Sequence, residues 1–274
     1  MHFEVGQMRR FETIHKVPSH GLKSSIPNTI DLQPYVVASI NELQSVCTNI
    51  PSMDYTIQWS NMSHDTLAYT YTWYQWDSSV WVSANRFEVH FNPHKQWWNG
   101  TCSELPPNHY DLKSAIMHEI LHGIGYVSTI DSTKNAWPTN YDRMIKNSAG
   151  LTLVTTNGQY TGQFGSPVYI DSIRMYNPST FNSGSSFSHV HRSSKLMSWY
   201  QSGCYRHVDH DTKIILNRLG YGCGASTKIG GGGSGMAIVG VIAGIVVVIG
   251  IVVGVLVGSK TGRKKRELEP LLKK

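Results

Sequence analysis

The apolar residues between positions 29 and 50 recur at intervals of three and four residues, which is the spacing of one helical face. Pro34 stands near the start of this stretch, where a helix tolerates proline. Similar patterns predict a helix over about Tyr110–Gly123 and a short last helix over Asp211–Leu219. The first helix presents an apolar face made of Val36, Val37, Ile40, Leu43 and Val46.

A strand pattern lies between the first two helices. Large apolar side chains occupy every second position from Leu67 to Trp73, with small polar residues between them. Further strands are predicted at 81–83 and at Arg86–Phe91. Residues 124–188 are rich in Gly, Ser, Thr, Asn and Pro, which favours irregular chain. We therefore expect an α+β domain.

Residues 236–258 form an uncharged apolar run. As a helix this run would be about 34 Å long, enough to cross about 30 Å of hydrocarbon, so we expect one transmembrane helix. A flexible Gly/Ser-rich linker at 224–235 would join it to the folded block 1–223. Basic residues after the run predict a cytoplasmic tail at 259–274, with the folded block outside the cytosol at the plasma membrane or an endosomal membrane. Small residues within the run are spaced for a helix–helix dimer: Gly240, Gly244, Gly250, Gly254 and Gly258.

The net charge of +6 does not indicate a nucleic-acid partner. Seven of the 24 basic residues crowd into 259–274, opposed there only by Glu267 and Glu269. The rest of the chain is close to neutral, so no domain-wide positive field is available to hold phosphates. The lipid bilayer, through residues 236–258, is instead the partner that this part of the sequence predicts.

Several features agree with an extracellular or lumenal domain. Two acceptor sequons for glycosylation lie at Asn61 and Asn99. The four cysteines allow three disulfide pairings, of which Cys47–Cys102 with Cys204–Cys223 is the sequence-local choice. The first residues lack the apolar core of a signal peptide. Either the natural N-terminus lies upstream, which we expect, or the single span inserts as a tail anchor with the opposite topology.

The segment His-Glu-Ile-Leu-His at 118–122 is the strongest functional signal. His118 and His122 are four residues apart, so a helix projects both imidazoles from one face toward one metal ion. Glu119 lies one step round the helix, where its carboxylate can accept a proton from a water molecule. The alternative is a buried helix whose two histidines bond only to backbone or carboxylate groups.

Zinc needs a third protein ligand as well as a position for water. No glutamate follows Glu119 until Glu267, and Ser128 stands where metzincins of the pattern HExxHxxGxxH have their third histidine. The ligand must come from further along the chain. The candidates are His189, His191, His207, His210, Asp131 and Asp142.

The run SHVHRSSKLM at 188–197 resembles the leishmanolysin family of metzincins. In that family a long insertion separates the zinc helix from the third histidine, and a Leu-Met or Val-Met pair follows. The resemblance covers about residues 80–222. It implies a metzincin-like catalytic domain with a mixed twisted sheet, an active-site helix and an irregular C-terminal subdomain containing a Met-turn. The matching positions are His118, Glu119, His122, Gly125, His189 and Met197.

The resemblance also assigns roles. It implies zinc ligation by the three histidines, a turn after the zinc helix at Gly125 and a Met-turn at Met197. Tyr200 is a candidate for stabilising an oxyanion, although it follows Met197 by three residues rather than two. Two features depart from the family: Val190 replaces an aromatic residue, and residues 1–110 show no cysteine identifiable as a zinc-blocking switch.

These observations predict a membrane-anchored endopeptidase that acts on protein or peptide substrates and has one catalytic Zn²⁺. Glu119 would act as the general base toward water and then protonate the leaving amine. The strand Arg86–Phe91 would form the cleft rim, with a free edge that pairs with an extended substrate. One alternative is a catalytically silent surface adhesin or decoy that retains the protease fold. Another is a lectin-like binder that uses the Trp/Tyr-rich strands of 66–98.

Overall fold

A computed structural model of the protein describes residues 8–16, 30–63, 65–200 and 203–224. Short 3₁₀ turns at Cys102–Glu104 and Asp142–Met144 interrupt the loops. The described helices are α1 (Gln33–Val46), α2 (Leu112–Gly123) and α3 (His210–Arg218). The strands are β1 (Met8–Lys16), β2 (Asp54–Trp59), β3 (Thr66–Asp77), β4 (Val80–Phe91), β5 (Trp97–Trp98), β6 (Tyr110–Asp111), β7 (Val168–Ile170) and β8 (Ile173–Met175).

The largest sheet has four strands in the order β1-β3-β4-β2. β3 and β4 form an antiparallel hairpin, β1 pairs antiparallel with β3, and β2 pairs parallel with β4. The sheet is therefore mixed. The prediction of a free edge at Arg86–Phe91 is wrong, because these residues pair with β2 on one side and with β3 on the other.

The strand predicted from Leu67 to Trp73 is present as part of β3, but its aromatic residues do not form its most buried face. Thr70 and Thr72 are fully buried, whereas Tyr69, Tyr71 and Trp73 are half-buried on the opposite face. The two threonine hydroxyls donate hydrogen bonds to α2. Small polar side chains therefore allow the helix to lie close to the sheet, which the alternation alone did not indicate.

Helix α2 is the centre of the domain. Asp111 caps its N-terminus by accepting a hydrogen bond from the Ser114 backbone N–H at 2.9 Å. Every α2 residue except Lys113 is buried, so the helix is enclosed on all sides. The chain leaves it through Gly125, whose φ of +99° belongs to the left-handed region that favours glycine.

Beyond α2 the chain has little regular structure, as the composition of 124–188 predicted. Hydrogen bonds between short segments replace long strands, and β7 and β8 form only a two-stranded ribbon. Apolar side chains from this part, including Tyr141, Phe187 and Met197, join the same hydrophobic core as α2. The irregular part is therefore packed onto the helix.

The sequence-local disulfide pairing is wrong. The structure joins Cys47 to Cys223 and Cys102 to Cys204. The residues after Cys47 pair with the segment before Cys223: the Thr48 N–H donates to the Gly222 carbonyl, and the Asn49 N–H donates to the Tyr221 carbonyl. The tertiary fold thus places Cys47, at the end of α1, next to Cys223, which follows α3. The sequence-local pairing assumes instead that cysteines close in sequence are also close in space.

The fold class predicted from the sequence, a metzincin-like α+β domain followed by a transmembrane helix, is wrong as it stands. The described residues have mixed α+β content in small sheets, and among them no helix is long and apolar enough to cross a membrane. The transmembrane helix is predicted from hydropathy alone, which gives the length of an apolar segment but not its structure. The segment 236–258 with its five spaced glycines, the tail 259–274 and nearly all of the linker 224–235 lie outside the described residues.

Candidate metal centre

His118 and His122 lie one turn apart on α2, as predicted, and both are fully buried. His189 reaches them from the irregular part through strand-like pairing with β8. The Tyr176 N–H donates to the His189 carbonyl at 2.7 Å, and the His191 N–H donates to the Arg174 carbonyl at 2.9 Å. The ribbon thus fixes the backbone on both sides of His189.

The Nε2 atoms of the three imidazoles converge. His118 Nε2 lies 3.0 Å from His122 Nε2 and 3.0 Å from His189 Nε2, and the last two are 3.3 Å apart. Nitrogen ligands of a tetrahedral zinc ion, at about 2.0–2.1 Å each, lie roughly 3.3 Å from one another. The three buried histidines are therefore close enough to hold one metal ion.

The opposite ring nitrogens identify the tautomers. His118 Nδ1 is 2.8 Å from the Leu196 carbonyl, His122 Nδ1 is 2.7 Å from that of Tyr126, and His189 Nδ1 is 2.9 Å from that of Ser185. A carbonyl oxygen only accepts, so each Nδ1 is the donor and each neutral imidazole has a lone pair on Nε2. Three lone pairs directed at one another favour a cation between them. The donor set is the one that a histidine-bound metal requires.

Glu119 is fully buried beside this group. Its Oε2 accepts a hydrogen bond from the Thr70 hydroxyl at 2.6 Å, and the same hydroxyl lies 3.2 Å from the Glu119 backbone carbonyl. The contact orients the carboxylate from the sheet side. No sequence motif marks Thr70 as a functional residue, although the period of two places it on one face of β3 with Thr72.

The segment around Met197 lies against the imidazoles. The Leu196 carbonyl accepts from His118, and the Met197 carbonyl accepts from the Val190 N–H at 2.8 Å. Met197 is fully buried. Tyr200 lies beside Trp199, with ring centroids 5.8 Å apart. Its role as an oxyanion group stays a prediction.

The structure gives the other ligand candidates different surroundings. Asp142 is fully buried and accepts hydrogen bonds from the hydroxyls of Ser128, Thr129 and Thr139 at 2.6–2.8 Å. Burial raises the pKa of the Asp142 carboxyl, although these hydrogen bonds lower it. Ser128 occupies the position of the third histidine in the pattern HExxHxxGxxH. Its hydroxyl therefore binds a carboxylate instead of a metal ion.

The remaining candidates also lie outside the group of three. Asp131 is exposed and accepts from Thr133 and Asn135, whereas His207 Nδ1 lies 3.1 Å from Glu42 Oε1. His210 is the first residue of α3, and His191 follows His189 by two positions in the sequence. The structure thus selects one of the six candidates.

Two further interactions fix the helix and the loop relative to each other, and the motifs did not reveal them. Arg206 forms an ion pair with the buried Asp111, the cap of α2. The Ser128 N–H donates to Ser188 Oγ at 3.0 Å, which links the exit from α2 to the residue before His189. Both contacts join residues more than 50 positions apart, so no local pattern predicts them.

The predicted glycosylation sites are both exposed. Asn61 Oδ1 lies 3.2 Å from His94 Nε2, and Asn99 Nδ2 donates to the Tyr35 hydroxyl at 3.1 Å. Exposure is necessary for modification but does not demonstrate it, so glycosylation at these residues stays a prediction.

Comparison with known proteins adds no relative. No protein-family model matches the chain, and neither the curated proteins nor the solved structures contain a match.

Proposed function

We propose that the protein is a zinc-dependent endopeptidase of the leishmanolysin type. The observation that supports this most strongly is that the Nε2 atoms of the three histidines lie within 3.3 Å of one another, with the buried Glu119 next to His118 on α2. Three imidazoles suit zinc, whereas calcium and magnesium prefer oxygen ligands. Cobalt, nickel and copper also bind imidazole, so the choice of zinc follows from the resemblance and from the helix motif.

Each residue has a role in the proposed reaction. His118, His122 and His189 hold the ion, and their Nδ1–H groups are fixed by backbone carbonyls, which orients the rings. A zinc ion held by these residues would supply Lewis acidity toward the scissile carbonyl and toward water. Glu119 accepts the proton from water and delivers it to the leaving amine. Thr70 holds the Glu119 carboxylate in place through Oε2.

Replacement of Glu119 by Gln tests the proposal, because it preserves the shape of the side chain and removes the base. We expect cleavage of a denatured protein substrate by the zinc-loaded full chain to fall about 10²–10⁴-fold. Zinc content, measured by mass spectrometry of the metal, should remain one ion per chain. Equal cleavage by wild type and Glu119→Gln would contradict the assignment of the base.

The second candidate is a metal-holding module without turnover, such as a surface adhesin or decoy. One observation favours it: the four side chains of the centre have no exposed surface. A peptide can reach them only if a neighbouring segment moves. A wild-type chain that binds zinc fully, yet cleaves no denatured protein or peptide library, would select this candidate over the endopeptidase.

A further inference from the structure

A cavity of about 360 Å³ lies beyond the C-terminal end of α2. One part of its lining is aromatic, formed by Trp76 near the end of β3 and by Trp137. Another part is polar and exposed, formed by Asp131, Asn135, Thr156 and Asn157. None of these residues takes part in the metal centre described above.

The aromatic part is packed against the core. Trp76 and Trp137 both pack on Trp81, with ring centroids 5.4 and 5.8 Å away, and Trp81 is fully buried. Trp137 also meets the buried Tyr74 edge-on. The two half-buried indoles are thus supported from behind. Their side chains therefore lose little conformational freedom when a ligand stacks on them.

The loops that form the cavity are also fixed. The Ala136 N–H donates to the Gly158 carbonyl at 2.7 Å. Gly158 has a φ of +78°, and a Cβ added there would lie 2.1 Å from the Ala136 carbonyl oxygen, so the close approach requires glycine. Asp131 Oδ1 accepts from the backbone of Thr133 and Asn135, which holds the polar rim in shape.

The chemistry of the lining excludes several ligand classes. No lysine or arginine is among the lining residues that the structure describes, and Asp131 is the one formal charge. Phosphates and other anions therefore find no positively charged side chain to pair with in this cavity. A proline-rich segment docks along an open groove lined by aromatic rings, whereas this cavity has amide, hydroxyl and carboxylate groups beside its two indoles.

We propose that this cavity binds a neutral sugar ring of an oligosaccharide. A pyranose has an apolar C–H face, which stacks on an indole, and a rim of hydroxyls, which pair with amides, hydroxyls and a carboxylate. The volume lies near the lower end of the roughly 300–1,000 Å³ usual for ligand sites, which suits one or two rings. The site is independent of the metal and adds glycan recognition to whatever chemistry occurs at α2.

The test uses the full chain, titrated calorimetrically with chitotriose, mannotriose and maltotriose. We expect saturable binding of at least one of them, weakened at least about tenfold by Trp137→Ala, which corresponds to loss of one stacking contact. Trp199→Ala is the matched control, because Trp199 is exposed and lies outside the cavity. The control should bind like wild type, and removal of metal with EDTA should leave sugar binding unchanged.

A second variant protects the test against misfolding. Asn157 is exposed at the rim, so Asn157→Ala should fold normally and still weaken binding. Thermal melting of each variant checks the fold. The proposal is overturned if no trisaccharide binds, if Trp137→Ala and Asn157→Ala both bind like wild type, or if a proline-rich peptide binds this cavity instead of sugar.

Discussion

His118 and His122 reach the metal centre from one turn of a regular helix, whereas His189 reaches it from a stretch with almost no regular structure. On the helix side, order is local, because a cap and a repeating backbone pattern place both rings. On the loop side, contacts outside any helix fix the backbone, such as Ser128 with Ser188 and Tyr176 with His189. We therefore expect His189 to be displaced from the ion more easily than His118 or His122.

The largest expected effect comes from the bridge that ties the two sides together. Cys102 lies before α2, and Cys204 lies after Met197. The two cysteines are 102 positions apart in the sequence. Loss of a bridge that closes a loop of this size costs roughly 4–5 kcal/mol of unfolding free energy. Cys102→Ser/Cys204→Ser should thus unfold at much lower denaturant concentration in urea titration.

Zinc affinity in the same double variant sharpens the comparison. If the loop side is the weaker one, zinc affinity should fall even under conditions where far-UV circular dichroism shows an unchanged helix content. An unchanged denaturation midpoint together with unchanged zinc affinity would contradict this account of the bridge.

A smaller effect is expected at Asp142, within the loop side. Asp142→Ala leaves the hydroxyls of Ser128, Thr129 and Thr139 without their buried acceptor, which costs roughly 3 kcal/mol. Because Ser128 also contacts Ser188, zinc affinity should fall with stability. Chemical denaturation and a zinc competition assay measure the two quantities. Asp131→Ala is the control, since Asp131 is exposed, and it should change zinc affinity little.

The smallest effect should come from Thr70, the residue of β3 that contacts the helix side. Thr70→Val removes the donor to Glu119 Oε2, and a hydrogen bond to a charged group contributes about 1.5–3 kcal/mol. We expect kcat to fall at least about tenfold with zinc content unchanged. Thr72→Val is the matched control, because Thr72 donates to the His122 backbone carbonyl rather than to the carboxylate. Equal kcat values for the two variants would show that Thr70 does not position the base.

The same contrast explains how much the sequence could predict. The positions of α1, β3, β4 and α2 follow from periods of 3.6 and 2, and the pair His118 and His122 follows from their spacing. The choice of His189 needed resemblance, because no spacing rule reaches across an insertion of more than 60 residues. The structure brings it to the other two histidines.

Long-range pairing was the part that local patterns could not supply. The two disulfides, the parallel partner β2 beside β4 and the Asp111–Arg206 ion pair each join distant segments. The alternation in β3 identified a strand but not which face packs on α2. Hydrophobicity favours burial of the aromatic face, whereas hydrogen bonds from two threonines to the helix favour the other.

The convergence of three imidazoles on one ion is tested most directly by the zinc content of the purified full chain. We predict one zinc ion per chain in wild type and in the control His207→Ala, whose ring lies beside Glu42 and away from the centre. His189→Ala should lose the ion or bind it at least about 10-fold more weakly. One zinc ion per chain at unchanged affinity in His189→Ala would contradict the account.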